Sequence, residues 1–125
     1  SLTEAREFKD QVTNSRWWTR RFGYGCSPRI QNCNRSQYPC ASYDDQVIYM
    51  VLGYCERFTI LHELAHCVVP PPHAWHGRLF ARVYLILCRE FLGEQWYKEL
   101  KEKFDHFRVN YDPIVEIMVH ETCLV

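Results

Sequence analysis

Residues 56–93 read ERFTILHELAHCVVPPPHAWHGRLFARVYLILCREFLG. Phe58, Leu61, Leu64, Ala65 and Val68 recur at helical spacing, so a helix is expected to begin near Cys55 or Glu56. Pro70, Pro71 and Pro72 end it, because proline has no amide proton and disfavours helical geometry in the residue before it. A second helix is expected from near Gly77, with Phe80, Val83, Tyr84, Leu87 and Phe91 as its apolar stripe. Gly93 fits its C-terminal cap. Two apolar helices separated by a proline-rich break form the frame of the chain.

The first helix carries His62, Glu63 and His66. Residues i and i+4 share a helix face one turn apart, so both imidazoles can reach one metal ion. Neutral imidazole is a good zinc ligand. Glu63 follows the first histidine and can reach water held at the metal. Zinc lowers the pKa of such water from ~15.7 toward ~7, and a nearby carboxylate can take its proton and pass it to a leaving amine. The HExxH pattern therefore points to a metallopeptidase with Glu63 as general base.

A catalytic zinc keeps three protein ligands and one open position. The candidates for the third are His73, His76 and a later carboxylate such as Glu90. The longer HExxHxxGxxH pattern is excluded, because Val69 stands where glycine is needed and Pro72 where histidine is needed. The stretch HELAHCVVPPPHAWHGRLFARVYLILCREFLG resembles the SprT-like metallopeptidases, which carry HExxH on one helix and His-Gly-x-x-Phe at the start of the next. That second motif here is His76-Gly77-Arg78-Leu79-Phe80. The resemblance covers about residues 45–108 and is greatest to compact members from actinobacteria and their phages. It implies His76 as the third zinc ligand and a zincin-like fold. His73 remains the rival ligand, or a residue that lines the cleft and contacts substrate or the oxyanion. Larger members usually add a C-terminal zinc-binding or DNA-binding module. No such pattern is present through Val125, so their action on DNA–protein crosslinks does not carry over.

Outward from this core, residues 46–52 (QVIYMVL) predict a strand leading into the HExxH helix. Such a strand is a candidate for binding peptide by strand addition. Tyr43, Tyr49, Tyr54, Tyr111 and Arg108 are candidate hydrogen-bond donors to an oxyanion. Residues 3–14 predict a helix capped by Thr3, with Ala5, Phe8 and Val12 on one face. Residues 16–22 (RWWTRRF) are short, aromatic and partly alternating, and are expected as a strand. Residues 23–45 are expected as a long loop rich in Gly, Ser, Asn, Pro and Cys. Trp96, Tyr97, Leu100, Phe104 and Phe107 predict a further helix, and residues 114–119 (IVEIMV) a last strand. The expectation is one α+β domain over residues 1–125, with the HExxH helix packed on a short sheet and further helices after it.

Composition narrows the partners. Fifteen basic and fifteen acidic residues give no net charge, against a dominant electrostatic attraction to nucleic acid. A local basic stretch, Arg16, Arg20 and Arg21 around Trp17 and Trp18, keeps a nucleic-acid or partner contact open. No apolar run approaches the ~18–20 residues of a membrane span. The seven cysteines cannot all pair internally. Cys67 and Cys88 fall in apolar helical patterns and read as small buried hydrophobes. Cys26, Cys33 and Cys40 share one polar segment, as thiols, a disulfide or a second metal site. The odd count and the absence of a visible leader favour a reducing, cytoplasmic compartment. The leading expectation is a zinc peptidase acting on protein or peptide. The alternative is a zinc-stabilised structural or interaction protein, for example viral, in which His73 would close the fourth position.

Overall fold

The computed structural model describes residues 1–23, 25–33, 38–71 and 76–112. Among these residues, five helices and a three-stranded sheet make an α+β domain. The expected strand at 114–119 and His73 lie outside the described residues.

Helix α1 (Leu2–Thr13) buries Ala5, Phe8 and Val12, the face expected from spacing. Its cap is Ser1 rather than Thr3: the Ser1 hydroxyl accepts from the Glu4 amide at 3.2 Å. Helix α2 (Arg16–Phe22) replaces the strand expected there. The Ser15 hydroxyl accepts from the Trp18 amide at 3.1 Å, which starts the helix. Trp18 and Phe22, four apart, then bury one face. Gly23, at φ 92°, ends it in a conformation that glycine adopts without a Cβ clash. The Trp18 indole donates to the Cys26 carbonyl at 2.7 Å and fixes the chain after the turn.

The expected loop at 23–45 contains two short strands, β1 (Arg29–Asn32) and β2 (Cys40–Ser42). With β3 (Val47–Met50) they form a sheet of order β1-β3-β2. β1 runs parallel to β3, with Ile30 opposite Ile48. β2 runs antiparallel to it, with Ala41 opposite Ile48. Ile30, Val47, Ile48 and Met50 are buried. The Arg6 guanidinium donates to the Ile30 carbonyl at 3.2 Å and ties α1 to the edge strand.

Helix α3 (Arg57–Val68) is the centre of the molecule. Ile60, Leu61, Leu64, Ala65, Cys67 and Val68 are all buried, so it is enclosed on nearly every side rather than along one stripe. It packs on β2, β3, α1 and α4 (Arg78–Leu92). Gln46, in the turn before β3, takes the left-handed φ of 53°. Its amide donates to the Tyr43 carbonyl at 2.7 Å and to the Cys67 carbonyl at 2.8 Å. The second bond satisfies one of the carbonyls that the last turn of α3 leaves unpaired. It also anchors that turn to the sheet. Gly93 (φ 104°) joins α4 to α5 (Glu94–His106). Helix α5 buries none of its residues, and the expected stripe is only part-covered. Leu100 packs on the core, while Trp96 and Phe107 are exposed.

Candidate metal centre

Helix α3 places His62 and His66 one turn apart on the face toward α4, with ring centroids 4.9 Å apart. His76 enters from the turn before α4. Its ring lies 5.3 Å from His62 and 4.8 Å from His66. The Nε2 atoms of His66 and His76 are 3.0 Å apart. One nitrogen from each ring lies within 4.8 Å of the others, close enough to hold one metal ion. His66 is buried, His62 half-buried and His76 exposed, so the cluster opens toward solvent on the His76 side.

Phe80 organises the three rings. It stacks on His66 at 4.3 Å and 21°, and meets His62 and His76 edge-on at 5.0 and 5.1 Å. The buried phenylalanine of the His-Gly-x-x-Phe motif is placed to pin α4 to the core. It is also the surface on which all three imidazoles rest. One turn further, Tyr84 lies 5.2 Å from His62 and donates its hydroxyl to the Phe58 carbonyl at 3.2 Å. Burial raises its pKa above the ordinary tyrosine value. Tyr84 was legible only as part of the apolar stripe. Its i+4 relation to Phe80 is the signal that could have placed it at the site.

Burial fixes the protonation of the two histidines on α3. Desolvation pushes His62 down to about 4 and His66 down to about 3, with the neighbouring imidazoles adding to it. Both rings are neutral near pH 7 and can present a lone pair to a metal. Glu63 is 5% exposed, and its carboxylate lies 4.0 Å from His62 Nε2. Burial raises it to about 7. A bound dication would pull this value down by stabilising the carboxylate.

Other expected site residues lie elsewhere. Glu90 acts electrostatically on Arg21 and is no part of the histidine cluster. The Tyr111 hydroxyl donates to Asp105 at 2.9 Å, and Tyr54 meets Tyr38 edge-on. Among the described residues, the tyrosine ring that meets the histidines is Tyr84. The strand at 46–52 is the central strand, paired on both sides, so it has no edge for an added peptide strand. The strand with one side unpaired among the described residues, and packed against α3, is β2. Its Cys40 is near enough to Glu63 for that carboxylate to help raise the thiol pKa, after burial, the larger cause.

Cys26, Cys33 and Cys40 are not joined to one another by a disulfide, and among the described residues the histidines form the one cluster with metal-binding geometry. Cys67 and Cys88 are buried as expected, and burial pushes both to about 12, which keeps them protonated and inert. In the basic stretch, Arg21 packs 4.2 Å over the Trp17 ring and donates to the Trp17 carbonyl, while Arg16 and Arg20 are exposed. No helix among the described residues is long and apolar enough to cross a membrane. Comparison with protein-family models, with curated proteins and with solved structures finds no match for this chain.

Proposed function

We propose that the protein is a zinc-dependent peptidase of the SprT-like kind, with His62, His66 and His76 as ligands and Glu63 as general base. The observation that carries this reading is the placement of a buried carboxylate 4.0 Å from His62 Nε2, within a cluster of three imidazoles. A structural metal site has no use for such a base.

The donor set fits zinc. Tetrahedral zinc with bonds of 2.0–2.1 Å separates its nitrogen ligands by about 3.3 Å. His66 and His76 stand at 3.0 Å and the widest separation is 4.8 Å, so the cluster needs only side-chain adjustment. Three histidines leave a fourth position for water or substrate, and the exposed side at His76 is where a substrate would approach. When bound, zinc supplies Lewis acidity toward a scissile carbonyl and toward water. Glu63 accepts the proton of the attacking water and returns it to the departing amine. Its buried setting keeps the proton transfer local. Phe80 contacts all three imidazoles and limits how far they move when metal binds. The edge of β2, unpaired among the described residues, supports extended binding of a peptide.

Removal of metal tests the reading. Treatment with a chelator should abolish hydrolysis of an unfolded protein such as casein, and one equivalent of zinc should restore it. Hydrolysis that survives complete metal removal would refute it.

A further inference from the structure

Beside the histidines lies a cavity of about 330 Å³. Two of its walls are His62 and His76. The remainder are Phe80, Ala81 and Tyr84 from α4, with Phe104 and Val109 from the end of α5 and the turn after it. Among the described residues that line it, every side chain other than the two histidines and the Tyr84 hydroxyl is a hydrocarbon. That hydroxyl donates to the Phe58 carbonyl. The described lining is therefore apolar except where it meets the two histidines.

The outer wall is held in place. The Val109 amide donates to the Phe104 carbonyl at 2.7 Å, closing the turn after α5. The chain then returns to the start of α4. The Asp112 amide donates to the Arg78 carbonyl, and the Asp112 carboxylate pairs with the Arg78 guanidinium at 3.4 Å. Arg78 is two residues from His76. The same turn thus frames both the cavity and the third ligand.

A group lying in this cavity is in contact with two ligands of the metal. In a peptidase, the substrate atom at the metal is the scissile carbonyl, and the side chains nearest to it belong to the two flanking residues. We infer that the cavity is the subsite for one apolar side chain, aliphatic or aromatic, on a residue flanking the bond to be cleaved. The inference rests on the peptidase reading and names its substrate class: protein segments bearing Leu, Met, Phe or a similar residue beside the scissile bond. An unfolded segment exposes such residues, whereas a folded protein buries them.

Two measurements test the subsite separately from the peptidase reading. The first maps cleavage sites made by the zinc-loaded protein in an unfolded protein mixture. One flanking position should prefer Leu, Met or Phe over Gly by about 10-fold or more, the usual scale for filling an apolar pocket. Phe104→Ala should weaken that preference without changing zinc content. Val109→Asp, at a part-exposed position on the rim, should do the same if the first variant folds poorly. Cleavage with no apolar preference at either flank would overturn the subsite and leave the peptidase standing. The second measurement needs no turnover. Zinc-loaded Glu63→Gln protein is titrated with N-acetyl-phenylalaninamide or N-acetyl-glycinamide and followed by amide NMR. The phenylalanine compound alone should shift the signals of Ala81, Phe104 and Val109. Absence of those shifts would overturn the subsite. Their presence, with zinc-loaded wild type cleaving no unfolded protein, would overturn the peptidase reading while the cavity keeps its ligand class.

Discussion

Helices α3 and α5 are both built on aromatic and aliphatic residues at helical spacing, yet they do opposite things. α3 is buried on nearly all sides and carries two of the three histidines and the carboxylate. α5 buries nothing, and its Trp96 stacks at 5.9 Å on Phe58 near the surface. The difference separates two requirements of a site. Groups that must hold one geometry sit where packing over-determines them. Groups that shape a pocket sit on an element that is fastened at its ends and loosely covered between.

If that contrast is right, the largest effects belong to α3. His66→Ala should remove both a metal ligand and a buried ring, so bound zinc and hydrolysis should fall below detection together, measured by metal analysis and a casein digest. Next, Leu64→Ala deletes a side chain with no solvent exposure. It should cost about 2–5 kcal/mol in denaturant unfolding, as large-to-small changes in closed cores do.

A smaller effect concerns pH in the metal-free protein. His62 and His66 have folded values of about 4 and about 3, below the ordinary 6.5. Their contribution to stability is therefore complete above pH 6.5 and is lost as pH falls toward the folded values. Glu63 works in the opposite sense. Its folded value of about 7 lies above the ordinary 4.5, so its contribution is complete below 4.5 and is lost as pH rises to about 7. Two imidazoles outweigh one carboxyl, so stability should drop as pH falls from 6.5 toward 4.5. Glu63→Gln should make that dependence steeper. Denaturant midpoints at a series of pH values, with chelator present, measure both.

The smallest effect belongs to α5. Trp96 is 46% exposed, and Trp96→Ala should cost about 0.5–1.5 kcal/mol, the worth of one aromatic pair. A loss as large as that of Leu64→Ala would erase the contrast between the two helices.

The same contrast explains what could be read from the residues alone. The α3–α4 region was legible because its signals agree: helical spacing, the proline stop after Val69, and His76-Gly77 ahead of a second stripe. They put His62, Glu63 and His66 on one helix, while the choice of His76 over His73 and Glu90 came from the resemblance of the second motif. The N-terminal region misled because its elements are short. RWWTRRF has the aromatic content of a strand, and the helix is revealed by the Ser15 cap and the Trp18–Phe22 pairing. β1 and β2 are four and three residues long, and of them only Ile30 is buried. Their existence depends on pairing with β3, which leaves no local periodic trace. The central position of β3 is likewise a property of the sheet as a whole. The cavity could not be seen, because Phe104 and Val109 reach it only after α5 folds back on α4.

The most direct test of the central claim is hydrolysis of one unfolded substrate by zinc-loaded wild type and Glu63→Gln, with zinc content measured in the same samples. Equal zinc with a rate lower by about 10²–10⁴-fold in the variant is the expected result, the range for removal of a general base. Equal zinc with an unchanged rate would contradict Glu63 as the base and, with it, the reading of the histidine cluster as a peptidase centre.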